Sequence, residues 1–166
     1  MPGYLDQYGA GDEQRESLVK RAIVTVALVI VIGGLGYYLF KNHSQEKIGK
    51  QFISLVRSQS YPAAYQLWGC SQAKPCSGYE YDKFLEDWGP KASGADPAVL
   101  GIEDSESCGT GVILTMAVNR SRQEKLWIEK SNPVLSFSPV PACPGKSPFS
   151  IMIHRTVGKL RKPFLK

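Results

Sequence analysis

Between Ala22 and Phe40 the sequence has no charged residue, and before Cys70 it has no cysteine. Histidine occurs only at His43 and His154, and there is no HExxH, GxSxG, P-loop or Rossmann fingerprint. Zinc-protease, serine-hydrolase and nucleotide chemistry of the motif-bearing kinds are therefore excluded at the level of motif. The absence of a CxxC pair removes the thioredoxin-like redox reading. Cys70 and Cys76 are separated by five intervening residues, and Cys108 and Cys143 stand alone, which does not fit the ligand spacing of a structural zinc site. No cofactor and no metal is predicted.

What is present begins with the uncharged stretch itself. Ala22 to Phe40 reads AIVTVALVIVIGGLGYYLF, nineteen residues. A hydrocarbon core of about 30 Å takes roughly 20 helical residues, so this segment predicts a transmembrane helix over 22–40. Lys20 and Arg21 fence one end and Lys41 the other, while Tyr37 and Tyr38 suit the headgroup region. A cleaved signal peptide needs a shorter apolar run and small residues at its end, and Tyr38-Leu39-Phe40-Lys41-Asn42 offers none. A buried soluble helix would show a polar face, and here only Thr25 is polar. Gly33, Gly34 and Gly36 are not spaced as GxxxG, so the helix reads as a lipid anchor rather than a dimerisation motif.

Charge is divided unevenly around that segment. Residues 1–21 hold three basic and four acidic side chains, whereas 17 basic and 11 acidic residues follow from Lys41 onward. The immediate flanks nearly balance, so the positive-inside rule leaves orientation open. The cysteines speak more clearly: all four lie after the apolar segment, an even number in a small domain, as in oxidising compartments. Four cysteines allow three connectivities, of which Cys70–Cys76 with Cys108–Cys143 is preferred. The expected topology is a cytoplasmic N-terminus, one pass through a cell inner membrane, and a periplasmic or otherwise extracytoplasmic domain. The sequons at Asn42 and Asn119 are neutral in this respect.

The remaining organisation follows from periodicity. Residues 1–21, Gly-rich and polar with no apolar period, read as a flexible cytoplasmic tail. Ile48, Phe52, Leu55 and Val56 recur at helical spacing and predict a helix from about Gln45 to Ser60, with Asn42 or Ser44 as its cap. Ser60-Tyr61-Pro62 breaks and restarts the chain into a short helix over Pro62–Trp68. Tyr81 to Trp88 predicts a third helix, stopped by Gly89-Pro90. Beyond Pro90 the texture turns to short β-branched or alternating runs: Val99–Glu103, Gly111–Val118, Lys125–Glu129, Val134–Ser138 and Phe149–Ile153. Helices followed by an antiparallel meander make an α+β domain, two to three helices packed on a curved sheet of four to five strands over 44–154.

This order resembles the nuclear transport factor 2-like superfamily, in which N-terminal helices wrap a strongly curved antiparallel sheet into a cone. The resemblance rests on the first domain helix, the Tyr61-Pro62-Ala63-Ala64-Tyr65 restart, the aromatic helix with Tyr81, Phe84 and Trp88, and the hairpin from Gly111 to Glu129. It covers about Ser44 to Ser138; Cys143 to Lys166 extends past the usual ending. The superfamily includes isomerases and dehydratases as well as non-enzymatic binding and assembly domains, so it does not fix a function. Its enzymes set a carboxylate or histidine within an apolar cone, a role for which the candidates here would be Asp82, Asp87 and Tyr65. The two aspartates lie in the charged stretch EYDKFLED and read as the solvated face of their helix. Tyr61, Tyr65, Trp68, Tyr79, Tyr81, Phe84 and Trp88 read as core packing before they read as a pocket lining.

At the C-terminus, HRTVGKLRKPFLK carries Arg155, Lys159, Arg161, Lys162 and Lys166 with no acid, a basic tail over 155–166 suited to anionic headgroups or an acidic partner. Together these features predict a membrane-anchored, non-enzymatic binding or assembly protein, an accessory subunit or partner-docking module of a membrane complex. Its partners would be the bilayer and a membrane or periplasmic protein, with no nucleic acid. The alternative is a membrane-tethered ligand-binding or isomerase-like domain using an internal cone cavity.

Overall fold

A computed structural model describes residues 10–90, 95–145 and 152. Two units make up the chain, Met1–Lys41 and Asn42–Lys166. Among its described residues the first carries one helix, α1, Ala10–Phe40. It starts well before the apolar run, so the helix takes in residues 10–21 of the stretch expected to be flexible. Glu16 and Lys20 pair across one turn at 2.8 Å on this added part, an i,i+4 contact that supports exposed helix. The helix contains one window long and apolar enough to cross a membrane. The side chains of that window, among them Val26, Ile30 and Ile32, are exposed, as suits a helix with a lipid face rather than a protein core around it.

In the second unit α2 (His43–Arg57), α3 (Tyr61–Gln66) and α4 (Tyr81–Trp88) precede a four-stranded meander of β1 (Gly101–Cys108), β2 (Gly111–Ala117), β3 (Gln123–Glu129) and β4 (Leu135–Phe137). The strands are antiparallel, in the order β1-β2-β3-β4. The unit is therefore α+β, with helices first and sheet second.

The helices form because each has one apolar face to bury. On α2 that face is Phe52, Ile53 and Val56; on α4 it is Phe84 and Trp88. Phe52 sits at the centre of an aromatic cluster, meeting Trp88 edge-on at 4.9 Å, Phe84 at 6.3 Å and Trp68 at 6.4 Å between ring centroids. Such geometry adds about 0.5–1.5 kcal/mol per pair beyond area burial. Tyr65, Trp68, Phe84 and Trp88 are core residues, and Tyr61, Tyr79 and Tyr81 pack against that core. The seven aromatics thus fill the domain. From the sheet Val112, Leu114, Met116, Leu126, Ile128 and Leu135 complete the same core.

The opposite face of the sheet is covered differently. There Ile113 pairs with Trp127, and Trp127 lies over Gly111, where any Cβ would collide with the indole. Cys143 is joined to Cys108 on this face, and the Lys125 ammonium donates to the Pro141 carbonyl. The segment after β4 is thereby strapped to the sheet at two points.

Two expectations are corrected. The first strand runs to Cys108 rather than ending at Glu103, because a bulge between Ile102 and Asp104 shifts the register. Burial then recurs at Ile102, Ser105 and Cys108, a spacing of three that hides the strand from any search for alternation. Asn42 stands at the N-cap of α2 without capping it; its side chain is committed elsewhere, as described below. The suggested fifth strand, Phe149–Ile153, lies outside the described residues except for Met152, whose backbone is helical rather than extended.

Candidate functional site

A cleft of about 690 Å³ lies between the second half of α2 and the start of β1. Lys50, Ile53, Ser54 and Arg57 form the helical wall, at the i, i+3, i+4, i+7 positions that share one face. The other wall is the stretch from Ala98 to Glu103, with Ala117 of β2 behind it. Ile53, Leu100, Ile102 and Ala117 are buried and give the cleft an apolar floor.

The space exists because small residues face each other there. Gly101 of β1 is registered opposite Ala117 of β2, so neither strand sends a large side chain into the opening. A Cβ on Gly101 would meet only the Val99 carbonyl, at 3.6 Å.

Arg57 marks one end of the cleft. Its Nε donates to the Pro97 carbonyl at 3.0 Å and its Nη2 to the Leu100 carbonyl at 2.7 Å. Two of five guanidinium N–H groups are thus used to hold the incoming backbone, and three remain. Among the described residues no carboxylate pairs with it. Toward the other end, Glu103 accepts from the Gln123 amide.

A second polar group lies where α2 begins. Asn42 is fully buried, and its Nδ2 donates to the Ser105 carbonyl at 3.3 Å and to the Ser105 Oγ at 3.1 Å. Its Oδ1 accepts from the Ser107 hydroxyl. This side chain ties α2 to the outer edge of β1, and it leaves the first sequon without an accessible amide in the folded domain.

The residues considered for acid–base work are either exposed or engaged in structural hydrogen bonds. Asp82 is exposed. The Tyr65 hydroxyl donates to the Tyr79 carbonyl at 2.6 Å and accepts from the Cys76 amide at 3.0 Å, a structural role that holds the cysteine loop on the core. Asp87 accepts from the Tyr79 hydroxyl at 2.9 Å, and the same hydroxyl accepts from the Trp88 indole at 3.1 Å. Burial first, then the bond to the Asp87 carboxylate, holds the Tyr79 hydroxyl well above the usual tyrosine range.

No family model matches this chain, and neither a curated protein nor a solved structure does.

The remaining predicted site residues fall as follows. Cys70 is joined to Cys76 and Cys108 to Cys143, each pair with Cα atoms 5.3 Å apart, well suited to a bridge. Of the expected membrane-interface residues, Tyr37 is exposed, Lys41 places its ammonium 4.1 Å from the centre of the Tyr38 ring, and Lys20 is paired with Glu16. The Arg21 carbonyl accepts from Thr25 Oγ1 at 2.8 Å, which satisfies the one hydroxyl of the apolar run. The basic tail (Arg155, Lys159, Arg161, Lys162, Lys166) lies outside the described residues. Sequence reasoning missed the cleft. Its signal, two small residues brought opposite each other by strand register, becomes visible only once the register is known.

Proposed function

We propose that this chain is a membrane-anchored, non-enzymatic binding or assembly protein. α1 spans a cell inner membrane with the N-terminus in the cytoplasm. The domain that follows stands outside, as an accessory subunit or docking module for a membrane or periplasmic protein. The observation that carries this reading is the pairing of one apolar helix, long enough to span, with a small disulfide-braced unit whose interior is filled by aromatic side chains. A filled interior favours recognition at the surface over chemistry in an internal cavity. Confinement to the membrane plane raises the effective concentration of such a domain near its partners. Helices followed by an antiparallel meander also support placing the domain in the nuclear transport factor 2-like superfamily, on element order alone. The basic tail adds contact with anionic headgroups, each charge contributing about 1 kcal/mol near the surface.

The reading is tested by gentle purification from native membranes after alkylation of free thiols, with quantitative mass spectrometry of what co-purifies. A partner in fixed stoichiometry, together with four unalkylated cysteines, is the expected result. A chain recovered alone with alkylated cysteines overturns both topology and function. A cysteine placed at Ser121, on the exposed β2–β3 turn, should react with an impermeant maleimide from outside the cell. Labelling only after lysis would reverse the orientation.

A further inference from the structure

We infer that the cleft between α2 and β1 is a binding site for a small organic anion: a carboxylate carried on an alkyl or aryl body. The inference extends the binding reading to a free small molecule, and it stands or falls independently of whether a protein partner exists.

Size and surface come first. Ligand pockets of proteins typically run from about 300 to 1,000 Å³ with mostly apolar linings and few polar groups. The cleft, at about 690 Å³, lies inside that range. Its buried floor of Ile53, Leu100, Ile102 and Ala117 has no hydrogen-bonding side chain, so the body of the ligand is apolar.

Charge then sets the head group and its place. α2 and β1 run in opposite directions, since Arg57 near the end of the helix bonds to Leu100 just before the strand, whereas Asn42 at the start of the helix bonds to Ser105 within it. Lys50, two turns back along α2 from Arg57, is therefore level with Ile102 and Glu103 rather than with Leu100; the Ile102 side chain is indeed what a Cβ on neighbouring Gly49 would meet, at 3.0 Å. At that end one cation and one carboxylate offset each other. At the Arg57 end no acid lines the cleft among the described residues; Asp96, just ahead of the clamped backbone, accepts from the Ala98 amide at 2.9 Å and makes no ion pair with Arg57. The excess charge of the cleft is thus concentrated on one guanidinium, clamped by two backbone carbonyls and with three N–H donors unspent. A fixed guanidinium presents those donors in one plane, the geometry that a carboxylate accepts.

The test uses the full chain in nanodiscs of zwitterionic lipid, with 4-phenylbutyrate as probe and the neutral 4-phenylbutyramide as its counterpart. Binding is followed by backbone NMR shifts of residues 98–103 and corrected against empty nanodiscs. A ligand of this size should bind with a dissociation constant on the order of millimolar. The amide should bind about fivefold more weakly, as expected for loss of one solvent-screened charged contact. Arg57→Gln should erase the difference between acid and amide. Gly101→Leu, which keeps Arg57 and has room for its Cβ, should weaken both probes at least about tenfold by filling the cleft with a buried side chain. Should Arg57→Gln fail to fold, Gly101→Leu still decides the location. Equal binding of acid and amide, shifts outside residues 98–103 only, or binding untouched by Gly101→Leu would each overturn the assignment.

Discussion

Asn42 shows how much one buried amide can organise. It bonds a strand carbonyl and the hydroxyls of buried Ser105 and half-buried Ser107, so its removal strands polar atoms inside the domain. Asn42→Ala should lower stability by about 1–3 kcal/mol, the range for leaving buried partners unpaired, as read from urea unfolding followed by tryptophan fluorescence. Tyr79 makes a different, pH-dependent contribution. Its folded pKa is raised above the ordinary 10.0, so the unfolded chain releases this proton first. The stability tied to it is complete below pH 10 and falls as pH rises further, because alkali favours the state that ionises. Tyr79→Phe should make the loss of stability above that pH shallower, in unfolding curves taken at a series of alkaline values.

At the scale of elements, the sheet has two edges, and each is protected. β4 is three residues long, which limits what can pair with it. β1 is longer, but Asn42 and Arg57 occupy carbonyls along and just ahead of its outer edge from the two ends of α2. Between the strands, Gly111 and Trp127 are fitted to each other: the missing side chain on β2 is the seat of the indole on β3. Gly111→Ala should displace that ring and cost about 1–3 kcal/mol, the range for overpacking, with a shift in tryptophan emission reporting the movement.

These elements also show what could be read from residues alone. α2, α4 and the β2–β3 hairpin announced themselves through apolar period, the Gly89-Pro90 stop and the turn at Asn119–Arg122, because in each the local signal and the tertiary environment agree. The second half of β1, Asp104-Ser105-Glu106-Ser107, did not. Its polar side chains face a bulged register and an amide from another element, neither of which leaves a trace in local pattern. The cleft was hidden for the same reason, since Arg57 reads as an exposed helix end until the backbone it clamps is in place.

For the whole molecule, the two bridges carry unequal weight. Cys108–Cys143 spans a sequence separation of 35, and Cys70–Cys76 one of 6. Loop-closure entropy gives about 4 kcal/mol for the longer and about 2 kcal/mol for the shorter. Replacing Cys108 and Cys143 together by alanine should therefore lower the urea midpoint more than the same change at Cys70 and Cys76. The longer bridge also fastens the segment after β4 to the sheet face that carries Ile113 and Trp127, so its loss should raise the exposure of Trp127 to a soluble quencher.

The connectivity itself bears on biogenesis. Each cysteine is joined to the next one along the chain, with no crossing of partners. On the proposed topology the domain would leave a translocation channel from its α2 end onward, and so would present Cys70 and Cys76 before Cys108 exists outside. It then presents Cys108 with Cys143 as the sole remaining mate. An oxidase that simply joins thiols in order of arrival reaches the native pairing without reshuffling. Cells lacking a disulfide isomerase but retaining the oxidase should accumulate this protein in its native form, measured as the same non-reducing gel mobility and protease resistance as in wild-type cells.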